Sequence, residues 1–143
     1  MSRSRVLFLC TGNSCRSQMA EGWARHLHGD TIEAYSAGVE THGLNPRAVE
    51  VMREAGVDIS GQRSQLVDEL LDVSPHLVVT VCDHAAERCP VFPGAPRTVH
   101  RSFADPAGAT GTDDEVLDEF RRVRDEIRDW VRELPERLRE GGA

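Results

Sequence analysis

An unbroken apolar run, Val6-Leu7-Phe8-Leu9, stops at Cys10, and Thr11-Gly12-Asn13-Ser14-Cys15-Arg16 then leads into a stretch patterned as a helix, Ser17 to His28. A short segment that is apolar at every residue reads as a strand buried on both faces, as in a parallel sheet. The unit is therefore strand, tight loop, helix, with Cys10 at the carboxyl end of the strand. Five residues between a thiol and an arginine let the backbone curl until successive N–H groups point at one tetrahedral oxyanion. The helix behind adds its positive N-terminal end. The same field favours thiolate over thiol, and the thiolate is the nucleophile. Arg16 can clasp two oxyanion oxygens with its planar fork. Cys10 is thus the candidate nucleophile, and Thr11, Gly12, Asn13, Ser14, Cys15 and Arg16 are the candidate anion-binding residues. Gly12, Asn13 and Ser14 suit an anion loop and suit a packed core poorly, which disfavours a purely structural role for Cys10.

The rest of the chain repeats the alternation. Thr31 to Ala37 reads as a second strand closed by Gly38. Asn45-Pro46 starts a helix, with Asn45 as its cap and Pro46 at the first helical position, and Gly56 ends it. Ser64 to Leu71 reads as a short helix, His76 to Val81 as a third strand and Arg97 to Phe103 as a fourth. From Asp113 or Asp114 to Leu138, apolar residues at 116, 117, 120, 123, 127, 130, 131 and 134 keep the 3.6 period of a long amphipathic helix. Pro135 is expected to kink or shorten it. Residues 107–112 read as a mobile loop and residues 140–143 as a frayed tail. The expected fold is α/β: a single domain over 1–143, in three layers, with a four-stranded parallel sheet flanked by helices. Such sheets bind ligands at the carboxyl ends of their strands.

At 143 residues the chain needs no disulfide framework to bury a core. There is no signal-like segment and no apolar run near 18 residues, so a cytoplasmic protein that does not engage a membrane is expected. In that compartment its four cysteines point to catalytic, redox or metal chemistry. The net charge of −7 argues against nucleic acid as the main partner. An anionic substrate must then be drawn by local groups, Arg16 and the loop amides. All 17 basic residues are arginine, which reads as genomic bias.

Cys82 ends Val78-Val79-Thr80-Val81, and Cys89 follows seven positions later before Pro90. Seven positions in a helix span about 10 Å, too far for a disulfide, so the segment must unwind before the two sulfurs can join. The pair could be redox partners of Cys10, part of a zinc site, or inert; the spacings fit zinc poorly. Asp105, in Phe103-Ala104-Asp105-Pro106, follows the fourth strand at the edge where the site is expected. It either acts as a general acid for a leaving oxygen or caps a turn. His84 reads as a surface residue.

These residues together give a resemblance to the thioredoxin-coupled arsenate reductases built on the low-molecular-weight tyrosine phosphatase fold. It is carried by CTGNSCRSQMAEGWA (10–24), YSAGVETHGLNP (35–46), LVVTVC (77–82), CP (89–90), ADPAG (104–108) and EFRRVRDEI (119–127). The resemblance implies that Cys10 attacks arsenic, that Arg16 and the loop amides bind arsenate, and that Ser17 donates to the Cys10 thiolate. It implies that Asp105 protonates the leaving oxygen and that Cys82 attacks the Cys10–arsenic adduct. Cys89 then resolves the Cys10–Cys82 disulfide, and thioredoxin reduces the resulting Cys82–Cys89 bond. The implied role is arsenic detoxification by a monomer, with phosphate or sulfate as substrate analogues, weak phosphatase side activity and no tightly bound cofactor. Cys15 has no required part. Some members hold potassium through residues matching Asn13, Glu21 and Ser36 plus an acid where this chain has Gln65. Glutamine offers an oxygen but no charge, so at most a weak potassium ion is expected. Ala104 stands where an acid often precedes the catalytic one, while Asp105 keeps its place.

Two other functions compete. A phosphatase would use the same loop and acid but has no use for Cys82 and Cys89, and the segment 38–46 offers no aromatic walls for phosphotyrosine. A non-catalytic redox sensor would use Cys82 and Cys89 but would not need Cys10, Arg16 and Asp105 together.

Overall fold

A computed structural model describes residues 3–94 and 96–140. The fraying expected beyond Glu140 falls on residues outside the described ones. Four strands, β1 (Ser4–Cys10), β2 (Ile32–Gly38), β3 (Leu77–Thr80) and β4 (Arg97–His100), form one all-parallel sheet in the order β2-β1-β3-β4. Five helices flank it: α1 (Arg16–His28), α2 (Pro46–Glu54), α3 (Asp83–Glu87), α4 (Asp113–Arg132) and α5 (Leu134–Glu140).

Burial follows position in the sheet. Val6 to Cys10 of β1 and all of β3 are buried, because both are central and covered on two faces. The edge strands β2 and β4 are only partly buried. Helices α1, α2 and α4 pack on one another. Trp23 of α1 donates to the carbonyl of Arg124 at 3.1 Å, and the Arg124 guanidinium reaches Val51 O and Glu54 of α2. Phe120, Val123 and Ile127, on the apolar stripe of α4, are fully buried.

Several boundaries differ from those the residue pattern suggests. The stretch 64–71 is not an α-helix. Ser64 and Gln65 take no regular structure, Leu66 is extended and forms a parallel bridge with Gly38, and a 3-10 helix covers Val67–Val73. The fourth strand ends at His100, although Arg101 N and Phe103 N still bond to Thr80 O and Val81 O. The long C-terminal helix breaks at Glu133, two residues before Pro135, and resumes as α5. Residues 106–108 form a 3-10 turn, and Thr112 caps α4 in a capping box with Glu115. Among the described residues no helix is long and apolar enough to cross a membrane.

Chain order reverses direction between β1 and β3: the chain passes from β1 outward to β2, then crosses back to β3 on the other side. That crevice is where parallel sheets take ligands. Cys10 closes β1, and Cys82 stands two residues after β3.

Candidate active site

Residues 10–16 form a closed loop whose shape is set from outside. Six consecutive carbonyls are held by donors around the rim. Cys10 O accepts from Val39 N, Thr11 O from Glu40 N, Gly12 O from His42 N and Ser64 Oγ, Asn13 O from Gln18 Nε2, Ser14 O from Asn45 N, and Cys15 O from Met19 N. With the carbonyls turned outward, the N–H groups between them face the other way, into a small cavity. Among the described residues none of the N–H groups of Thr11 to Cys15 is used in a hydrogen bond. Asn13 makes the inward curl possible at φ 48°, a left-handed conformation asparagine tolerates better than most residues. Gly38 lies directly behind the loop. A Cβ there would stand 2.3–2.8 Å from Glu40 O, Thr11 O and Asn13 N, all backbone atoms that cannot give way.

The cavity, about 170 Å³, is lined by Cys10, Thr11, Gly12, Ser14, Cys15, Arg16, His42, Asp105 and Ala107. It suits one tetrahedral oxyanion and no large organic group. Cys10 is buried, and its sulfur lies 2.8 Å from Ser17 Oγ. Ser17 Oγ also accepts from Asn13 Nδ2 at 2.8 Å, which leaves the serine proton free to point at the Cys10 sulfur. The Asn13 amide is oriented in turn by Gln65 N, which donates to its Oδ1 at 2.9 Å.

Arg16 donates to Phe103 O at 3.2 Å and lies 3.6 Å from the Asp105 carboxylate. Its buried Nε has no partner among the described residues. A guanidinium so held keeps donors available for an anion in the cavity. Asp105 caps the 3-10 turn through Ala107 N (3.0 Å) and lines the cavity as well, so capping and a position facing substrate are compatible. Cys15 lies 3.7 Å from Asp105 Oδ1. Burial, with the charges of Asp105 and Cys10 nearby, pushes its thiol up to about 12. Near neutral pH Cys15 is therefore a thiol and does not compete with Cys10 as nucleophile.

All four cysteines are free. Cys82 is buried beside the cavity, its sulfur 3.3 Å from Thr11 Oγ1, and it accepts from Ala85 N at 3.4 Å as the cap of α3. Cys89 is half-buried just past the other end of α3, and burial raises its thiol. The two sulfurs thus flank a formed helix. Among the described residues no three His, Cys, Asp or Glu side chains are placed to hold a metal ion.

The residues matched to a potassium site do not fit one. Glu21 is buried, but its Oε1 accepts from Ser36 Oγ (2.6 Å) and its Oε2 pairs with Arg25 (2.6 Å). Burial raises the Glu21 carboxyl, while Ser36 and Arg25 oppose that shift. Asn13 Oδ1 is taken by Gln65 N, and Gln65 Nε2 donates to Ser36 O at 3.1 Å. The Arg25 guanidinium already supplies the cation, and the oxygens already have donors. Activity and Tm in matched sodium and potassium buffers are therefore expected to differ little. A potassium-specific gain of severalfold in rate would contradict this.

Some site residues carry no local signal. His42 and Ala107 line the cavity, and Ser64 and Gln65 brace the loop, through contacts made only when distant segments meet. The Ser17 contact, by contrast, follows from a helix that starts at the loop.

The sequence profile described as "Low molecular weight phosphotyrosine protein phosphatase" matches residues 5–142. A protein of Halalkalibacterium halodurans named arsenate reductase is 55% identical over 127 residues, covering 89% of this chain and 91% of its own. Among solved structures, an arsenate reductase in its oxidised state aligns with a TM-score of 0.81 at 30% identity, covering 94% of this chain and 98% of its own. The YwlE arginine phosphatase from Geobacillus stearothermophilus aligns with a TM-score of 0.75 at 29% identity, covering 96% and 94%.

Proposed function

Since the chain belongs to the low molecular weight phosphotyrosine protein phosphatase family, we propose that it uses this family's oxyanion loop to reduce arsenate to arsenite through Cys10, Cys82 and Cys89. The observation that carries this reading is a second buried sulfur, Cys82, beside the oxyanion loop, 3.3 Å from Oγ1 of Thr11, a residue that lines the cavity. A phosphoryl-transfer enzyme has no use for a thiol there.

The Cys10 thiolate forms a bond to As(V). An As–O bond breaks, and Asp105 supplies the proton with which that oxygen leaves as water. Ser17 holds the Cys10 sulfur, while Arg16 and the loop amides hold the remaining oxygens. The Cys82 thiolate then attacks the Cys10 sulfur. A sulfur–sulfur bond forms, the electron pair of the sulfur–arsenic bond stays on arsenic, and As(III) departs as arsenite. Cys89 attacks Cys82 and frees Cys10. A dithiol, which we assign to thioredoxin, reduces the Cys82–Cys89 disulfide.

The test is an assay with arsenate, thioredoxin, thioredoxin reductase and NADPH. NADPH oxidation should require arsenate, thioredoxin and the protein together, with only slow hydrolysis of an aryl phosphate. Brisk ester hydrolysis without arsenate-dependent NADPH oxidation would overturn the proposal in favour of a phosphatase.

Asp105→Asn is expected to slow formation of the Cys10–arsenic adduct by about 10²- to 10⁴-fold, the usual range for a lost general acid. Binding of phosphate should be largely kept, because the amide still accepts from Ala107 N. Single-turnover kinetics near those of the wild type would leave Asp105 as a turn cap only.

A further inference from the structure

Outside the cavity, one chain of hydrogen bonds has no part in the chemistry above. His100, the last residue of β4, bonds through Nδ1 to Thr80 Oγ1 at 2.7 Å and through Nε2 to Asp83 Oδ1 at 2.8 Å. Thr80 is the last residue of β3 and is buried, while Asp83 is the first residue of α3 and is exposed. A carboxylate only accepts, so Nε2 carries a proton; in the neutral ring Nδ1 then accepts from the threonine hydroxyl. Both ring nitrogens are engaged, and they hold the chain two residues before Cys82 and one residue after it. The backbone adds Arg101 N to Thr80 O and Phe103 N to Val81 O on the same short stretch.

The far end of α3 is held differently. Arg88 N bonds back to His84 O within the helix, and Cys89 Sγ reaches only Pro90 O, at 3.7 Å. Among the described residues, 88–91 make no hydrogen bond to the sheet, and Val91 is 95% exposed. The helix between the two cysteines therefore has one end clamped to β3 and β4 by hydrogen bonds, and the other end is held only by the packing of Cys89 and the buried Phe92.

The geometry points to His100 as a positioning residue that, through Asp83, holds Cys82 against Thr11 of the oxyanion loop while Cys89 does the travelling. The assignment rests on the three-cysteine reading above. Attack of Cys82 on the Cys10 sulfur needs near-linear approach at short range, and misplacement of a reacting atom by about an ångström can cost a hundredfold. Closure across α3 must then come from the Cys89 end, because the clamped end cannot leave without breaking the His100 bonds.

The test is made in a Cys89→Ser background, where the cycle stops at the Cys10–Cys82 disulfide. Excess arsenate is added, samples are acid-quenched in time, and the disulfide is counted by peptide mass spectrometry. Asp83→Ala and His100→Ala are each expected to slow its formation roughly ten- to hundredfold. Asp83→Asn keeps an acceptor for Nε2–H and should run close to the Cys89→Ser parent. Protection of Cys10 from alkylation by inorganic phosphate should be unchanged in all three. Should His100→Ala fold poorly, Asp83→Ala still decides, because that side chain is 81% exposed and contributes nothing to the core. Disulfide formation at the parent rate in Asp83→Ala, or a loss in Asp83→Asn as large as in Asp83→Ala, overturns the assignment of His100. A parent that never accumulates the Cys10–Cys82 disulfide instead overturns the relay itself, so the two failures are distinct.

Discussion

Replacing Cys10 by serine is expected to abolish arsenate-dependent NADPH oxidation and aryl phosphate hydrolysis together, while inorganic phosphate still binds. Both activities need a nucleophile at the centre of the loop. A serine hydroxyl is neutral at working pH and needs an adjacent general base. The group hydrogen-bonded to the Cys10 side chain is no base: Ser17 Oγ, 2.8 Å from the sulfur, already accepts from Asn13 and offers only a proton. Asp105 is placed toward Arg16 and the Ala107 amide. The loop itself should survive, because its six carbonyls are held by residues other than Cys10. Calorimetry with phosphate and the two assays on one preparation check all three statements. Substantial turnover of arsenate by Cys10→Ser would remove Cys10 from the mechanism, and loss of phosphate binding would mean that the loop had collapsed.

What could be read from the residues and what could not divides along a physical line. Elements governed by local pattern were legible. The continuous apolar run before Cys10 is β1, and the 3.6 period from residue 116 onward is α4, broken where Pro135 cannot continue it. Parallel pairing follows from strands alternating with helices, and it puts Cys10, Cys82 and Asp105 at one edge. The stretch 64–71 misled because apolar residues at 66, 67, 70 and 71 satisfy a helical face. Ser64 and Gln65 are instead taken up as donors to Gly12 O and Asn13 Oδ1, and the 3-10 helix starts only at Val67. The same holds for the bracing of the loop by the 39–45 segment. Each contact joins residues far apart in sequence, and no spacing encodes it. Asp105 was open between acid and cap because residue type cannot separate them, and the folded chain gives one side chain both positions.

The relay makes the sharpest demand on that geometry. Cys89→Ser should complete one reduction and stop with Cys10 and Cys82 joined, releasing about one arsenite per protein with no further turnover. Cys82 already touches Thr11 of the oxyanion loop, so its attack does not depend on Cys89. Cys82→Ser should stop earlier, with arsenic still on Cys10 and no arsenite released. Both variants should retain slow aryl phosphate hydrolysis, since water can resolve a phosphocysteine. In the wild type, oxidation must unwind α3, because Cys82 and Cys89 stand beyond its opposite ends and a disulfide needs Cα atoms within about 7 Å. Amides of residues 83–88 should therefore exchange hydrogen faster in the oxidised protein than in the reduced one. Thiol mapping after one equivalent of arsenate gives the order of the disulfides. Multiple turnover by Cys89→Ser with thioredoxin present would show that thioredoxin reaches Cys82 directly, and α3 would then have no reason to open.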